Sequence, residues 1–206
     1  MSFETWLSFS AVAILIVLSP GPALLMVMRY GTQFGARRAL FPILGNITGL
    51  AILITASAIG VGSVLDASSE AFFWVRLVGG LYLIYLGFKL LRSGPVNVED
   101  EPHNKAVPSS LKAYLQGVMV ALSNPKALLI IGALFPQFLD ASQPIFMQLA
   151  VLGLTLMVMS FTVLMTCAAV SKKLVSKGRK GLFGKVNKIT GTLFVLFGMT
   201  LAAGSR

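Results

Sequence analysis

Leu18-Ser19-Pro20-Gly21-Pro22-Ala23-Leu24-Leu25 returns 104 positions later as Leu122-Ser123-Asn124-Pro125-Lys126-Ala127-Leu128-Leu129, with five of the eight positions identical. Each copy interrupts an apolar run with proline, and the apolar character resumes at once. Around them, apolar runs bounded by charges and turn residues fall at about 6–28, 40–62, 72–91, 113–135, 145–170 and 187–204. Each is near the roughly 20 residues a helix needs to cross a bilayer. Hydrocarbon offers the backbone no partners, so such segments must be helices, and their continuous apolar character excludes the alternation of a membrane barrel. The expected fold class is an all-α membrane protein of six transmembrane helices.

Composition agrees. Of 206 residues, 56% are hydrophobic and 12% charged, against roughly 25% charged in an average soluble domain, and the mean hydropathy is +0.84. One integral membrane domain over 1–206 is expected, with no sizeable soluble part. The apolar run that ends in Ser19-Pro20-Gly21-Pro22 carries Glu4 where a secretory signal has basic residues, so it reads as a retained first span. The net charge of +10 sits between the apolar runs, where it sets orientation, and no nucleic-acid partner is expected.

Counted loop by loop, Arg29, Arg37 and Arg38, then Lys89, Arg92, Lys105 and Lys112, then Lys172, Lys173, Lys177, Arg179, Lys180, Lys185 and Lys188 fall on one side: 14 of the 17 basic residues. The other side has Arg76 and Arg206 beside Glu4, Asp66, Glu70 and Asp140. The positive-inside rule therefore places both termini outside. Trp6 and Trp74 then read as anchors at the outer interface. Residues 92–112, with Gly94-Pro95, Glu99-Asp100-Glu101, Pro102 and Pro108, read as a cytoplasmic linker between a first repeat, 6–91, and a second, 113–204. The basic stretch 172–188 reads as an orientation signal, or as a contact for anionic lipid or a partner.

The 104-residue shift also pairs Gly49 with Gly153, and after a seven-residue slip Gly80 and Gly87 pair with Gly191 and Gly198. Three helices per repeat is an odd number, so the halves must cross in opposite senses. Inverted repeats of this kind build many secondary transporters, whose binding sites lie at interrupted helices in matching positions.

A proline inside a helix frees the carbonyl four residues earlier, so Pro20, Pro22 and Pro125 are expected to free those of Ile16, Leu18 and Ala121. Gly21 permits unwinding. Freed carbonyls suit an ammonium group, and half-helices opening near Pro22 or Pro125 would aim amides at a carboxylate. The plainer reading is a pair of kinks re-satisfied by Ser19, Ser123 or water. Lys126, the only charge near the centre of a span, costs roughly 2.5–3.5 kcal/mol to insert. It reads as a counter-ion for a carboxylate, or as a donor to freed carbonyls. Asn46, between Gly45 and Gly49, reads equally as interhelical glue or substrate contact, and Asn124 lies beside the second break. The candidate substrate-binding set is thus Ser19, Pro20, Gly21, Pro22, Asn46, Asn124, Pro125 and Lys126.

Enzymatic and metal chemistry find no residues. Cys167 is the one cysteine and His103 the one histidine, so neither a thiol pair nor a histidine metal site can form within one chain. No cofactor and no catalytic residue is expected. No Asp or Glu lies deep in a span, which leaves Glu4, Asp66 and Asp140 at the outer edge as weak candidates for carrying protons. Tyr82 and Tyr85 read as packing or interface residues. An ion channel lined by freed carbonyls is the main rival to a solute transporter, and an intramembrane enzyme a more distant one.

These residues resemble one family. Ser19-Pro20-Gly21-Pro22, Gly31 to Gly49 with Arg37 and Arg38 between, Gly79-Gly80-Leu81-Tyr82-Leu83 through Leu86-Gly87, Asn124-Pro125-Lys126 and Phe135-Pro136-Gln137-Phe138 look like the LysE/RhtB amino-acid exporters of bacteria. The resemblance implies a multi-pass protein of the bacterial inner membrane that exports amino acids or close derivatives, driven by the proton-motive force. Its partners would be the small substrate, membrane lipid and, for an oligomer, further copies of itself. The RhtB branch suggests homoserine, threonine and homoserine lactone, among which the sequence does not choose.

Overall fold

A computed structural model of the chain describes residues 1–67, 69–92, 107–140, 142–176 and 180–203; among these there are helices and short connections and no strand. Helix α1 (Phe3–Leu18) opens on Ser2, whose Oγ accepts from the Thr5 amide at 3.1 Å, with Glu4 in the first turn facing the positive helix end. After Ser19-Pro20-Gly21 the chain enters α2 (Pro22–Phe34) at an angle of 55° to α1. Gly35, at φ 83°, the one positive-φ residue described, ends α2 and turns the chain straight into α3 (Ala36–Ala67). Then α4 (Ser69–Arg92) closes the first half.

The second half repeats this plan. Helix α5 (Ser110–Leu122) is capped by Ser109, α6 (Pro125–Leu129) follows, and a π-helical turn (Ile130–Leu134) and a 3-10 turn (Phe135–Phe138) prolong it. The segment Lys126–Phe138 is bent 58° from α5. Helices α7 (Ile145–Ser176) and α8 (Lys180–Ala203) complete the chain. Both α3 and α7 have 32 residues, and both α4 and α8 have 24.

Two stretches, Ala36–Ser57 and Ile145–Lys173, are long and apolar enough to cross a membrane alone, and each bent pair makes one more span if taken as continuous. That gives two to four of the six expected spans. Of the other two, 72–91 lies within α4 and the described part of 187–204, up to Ala203, within α8, where Lys188–Thr200 forms a shorter apolar helix. The helices overrun the apolar runs: α3 starts before residue 40, and α7 and α8 absorb most of the basic stretch 172–188. Lys and Arg are good helix formers, so a helix does not stop where its apolar composition does. Of the linker, only residues 107–112 are described apart from Arg92.

Close backbone approach at glycine fixes the packing. A Cβ on Gly87 would fall 2.6 Å from the Gly191 carbonyl oxygen, and one on Gly198 2.6 Å from that of Gly80. Low positions on α4 thus meet high positions on α8, so the two run antiparallel. Gly45 presses on the Tyr114 carbonyl and Gly49 on Ala121, so α3 and α5 run parallel. Gly153 instead meets Ile54 of α3, so Gly49 and Gly153 serve different interfaces and are not matched by their packing. Polar bonds add ties: Tyr30 Oη donates to Gln116 Oε1 at 2.8 Å, Tyr114 Oη to Thr48 Oγ1 at 2.9 Å and Trp6 Nε1 to Thr155 Oγ1 at 3.1 Å.

Two apolar clusters fill the interior. Phe9 packs edge-on against Phe135 and Phe138, with centroids 5.4 and 5.3 Å apart, in a cluster that includes Ile16, Leu50, Ile131 and Leu156. The second gathers Leu24, Val27, Met28, Ile43, Leu164 and Ala168. The α1/α2 break lies between them: Ile16 belongs to the first and Leu24 to the second.

Candidate substrate site at the two helix breaks

The prolines start helices instead of kinking them. Pro22 and Pro125 are each the first residue of a new helix, where the missing N–H would have had no partner anyway and the fixed φ favours the turn. Ser19 precedes Pro20 in extended backbone, at φ −63° and ψ 124°, as the residue before a proline prefers. The helix ends set the register. Leu18 matches Leu122 at a shift of 104, but Pro22 matches Pro125 at 103, because three residues join α1 to α2 and two join α5 to α6. Gly21 and Asn124 are therefore equivalent N-cap positions.

The two N-caps differ chemically. Asn124 Oδ1 accepts from the Lys126 amide at 3.1 Å and closes the start of α6. Gly21 has no side chain to offer, so the first amides of α2 remain open donors at the positive end of that helix.

Lys126 reaches across to the first break. Its Nζ donates to the carbonyl oxygens of Ile16 and Ser19, each at 2.9 Å. The ammonium thus sits on the negative end of α1, where a cation is favoured. Of the two readings of Lys126, the structure has the donor to carbonyls. Ile16 is one of the carbonyls expected to be freed, and it also accepts from the Ser19 amide at 3.2 Å; Ala121, another, accepts from the Asn124 amide at 3.2 Å.

A cavity of about 60 Å³ opens where the breaks meet. From the candidate set, Ser19, Gly21, Asn46, Asn124 and Lys126 line it; Pro20 and Pro22 do not. Ser19 Oγ is buried without a partner, and among the described residues no hydrogen bond engages the Asn46 side chain, although the residue is only 3% exposed. Free carbonyl and amide groups of this kind hold a polar ligand well, since burial without one is costly. Ser160 of α7, also buried, lines the same wall, and sequence reasoning missed it. A serine in an apolar helix has no spacing signal, and the repeat gives none, because the 104-residue shift sets Ser160 against Ala56. Leu50, Ile130, Leu156 and Leu164 form the apolar remainder.

Among the described residues no three His, Cys, Asp or Glu side chains gather as a metal site would require. Cys167 is half-buried on α7; His103 lies outside the described residues. Of the edge carboxylates, Asp140 accepts from both the hydroxyl and the amide of Ser142, at 2.6 and 2.9 Å, which holds its carboxyl below the usual range.

The family described as LysE type translocator matches residues 14–205. This chain belongs to the LysE family. It is a membrane translocator rather than an enzyme. LysE relatives align along nearly the whole chain: it is similar to the homoserine/homoserine lactone efflux protein of Salmonella typhimurium, with 33% identity over 98% of each chain. It is also similar to the leucine efflux protein of an Enterobacter species, with 32% identity over 93% of this chain and 92% of that one. No solved structure matches.

Proposed function

We propose that this member of the LysE family exports small neutral amino acids or close derivatives from the cytoplasm across the bacterial inner membrane, using the proton-motive force. The cavity at the two breaks carries the reading. It brings a carbonyl end (Ile16, Ser19), an uncapped amide end (Ala23, Leu24) and a lysine to one largely apolar pocket, one partner for each charge of a zwitterion. The names of the relatives point to homoserine and leucine, which share the zwitterionic head and differ in the side chain. A cavity of about 60 Å³ holds a handful of waters at roughly 10–15 Å³ each. It therefore suits the head group, and a leucine side chain requires the apolar wall of Leu50, Leu156 and Leu164 to part.

The transport architecture in this proposal is the six-span inverted repeat with both termini outside. Equal lengths of α3 and α7 and of α4 and α8 support it. So do the glycine contacts: a twofold relating Gly80 to Gly191 and Gly87 to Gly198 turns the Gly80–Gly198 contact into the Gly191–Gly87 one. The cation-channel reading loses its ligands, because the lysine already holds the Ile16 and Ser19 carbonyls. Counter-flow in everted membrane vesicles tests the proposal. Labelled leucine or homoserine should exchange against unlabelled amino acid while labelled sodium and potassium do not. Cation exchange without amino-acid exchange would refute it.

A further inference from the structure

We propose that the Lys126 ammonium is a resident stand-in for the substrate's own ammonium group, so that binding is an exchange: the incoming carboxylate draws Lys126 off the Ile16 and Ser19 carbonyls, and the substrate's ammonium replaces it there. This rests on the amino-acid reading of the cavity.

Three observations carry it. The Ile16 and Ser19 carbonyl oxygens each lie 2.9 Å from Nζ, so the end of α1 already forms a seat for a primary ammonium, occupied from within the chain. The seat borders the cavity: Ser19, with its buried and unpartnered Oγ, and Lys126 itself both line it. Beside them stand the open amides at the start of α2, and Gly21 leaves that approach clear; a Cβ there would lie 3.4 Å from Nζ. A carboxylate held by those amides is therefore next to the ammonium.

Charge decides the direction of exchange. Among the described residues the Lys126 ammonium is held by carbonyl dipoles, with no carboxylate beside it. A carboxylate offers a full opposite charge, and hydrogen bonds between two ions are stronger than those with one. Once Lys126 turns to the carboxylate, the carbonyls need a new donor, which the substrate's ammonium supplies. A ligand with a carboxylate but no amine moves the lysine and leaves the buried Ser19 carbonyl unpaired and that of Ile16 with only its 3.2 Å bond from the Ser19 amide. One with an amine but no carboxylate finds its seat taken. Both halves of the zwitterion are thus required, and Lys126 enforces the requirement.

Ligand-induced thermal stabilisation of the purified full-length protein in detergent tests this, with leucine, leucinamide (no carboxylate) and 4-methylvalerate (no amine) as probes. In the wild type, leucine should stabilise at concentrations at least tenfold below either analogue. In Lys126→Met the seat is vacant, so leucinamide should gain at least tenfold relative to leucine, while 4-methylvalerate gains nothing. Lys126→Gln, which keeps polar bulk, should shift the order the same way and serves if the methionine variant does not fold. An unchanged order in the variants, or leucinamide matching leucine in the wild type, overturns the exchange. If leucine counter-flow is intact while that order is unchanged, only the exchange falls. If no amino acid exchanges or stabilises, the transport reading falls with it.

Discussion

The ammonium of Lys126 and the carbonyl oxygen of Ile16, 110 positions apart in the chain, meet at 2.9 Å and join the two broken segments. Lys126 so caps a helix in the other half of the protein. Lys126→Met should lower initial efflux at least tenfold per protein in the membrane, and Lys126→Arg should restore it only in part, because a planar fork does not fit a seat made for a compact ammonium. Lys172→Met, at an exposed position on α7, is the control. Efflux equal to that control would leave the Lys126 contact as mere packing.

Asn124→Ala should destabilise the protein by about 1 kcal/mol, the usual cost of losing an N-cap, and lower its melting temperature by roughly 2–4 °C. Asn124→Ser keeps an acceptor for the Lys126 amide and should recover most of the loss. Thermal unfolding in detergent reads both.

Asn46→Leu should behave in the opposite way. The Asn46 carboxamide has no partner among the described residues, so replacing it removes a buried polar group and breaks no bond. Stability should hold or rise while efflux falls at least tenfold. A large drop in melting temperature would mark Asn46 as interhelical glue instead.

At Gly87 the fold leaves no room for a methyl group, with the Gly191 carbonyl oxygen 2.6 Å from where it would sit. Gly87→Ala should force α4 and α8 apart and cost about 1–3 kcal/mol. Gly132→Ala, where nothing lies within 4 Å, should cost little. Comparable melting temperatures for the two variants would contradict the tight α4/α8 contact.

The proposed topology puts 14 of the 17 basic residues inside, so a reporter active only in the periplasm should work when fused after Arg206 and fail within 92–112. The reverse pattern would invert the topology.

Composition and run length decided the class of this protein, because a bilayer leaves a long apolar segment only one way to satisfy its backbone. The sequence also carried both breaks, since proline acts locally, and the seven-residue slip that matches Gly80 and Gly87 to Gly191 and Gly198, which agrees with the helix ends of α4 and α8. It did not carry the one-residue offset between the breaks. Five identities in eight favoured a shift that set Pro22 against Lys126, and only the helix starts reveal Pro22 against Pro125. Nor did it decide between the two readings of Lys126, because the distance from Nζ to Ile16 depends on how the second half docks on the first. Ser160 became part of the cavity for the same reason: its helix is apolar all round, and the face turned inward is chosen by the neighbours α2 and α3. What a residue does to its own backbone can be read along the chain; which distant group it meets is fixed by packing between helices.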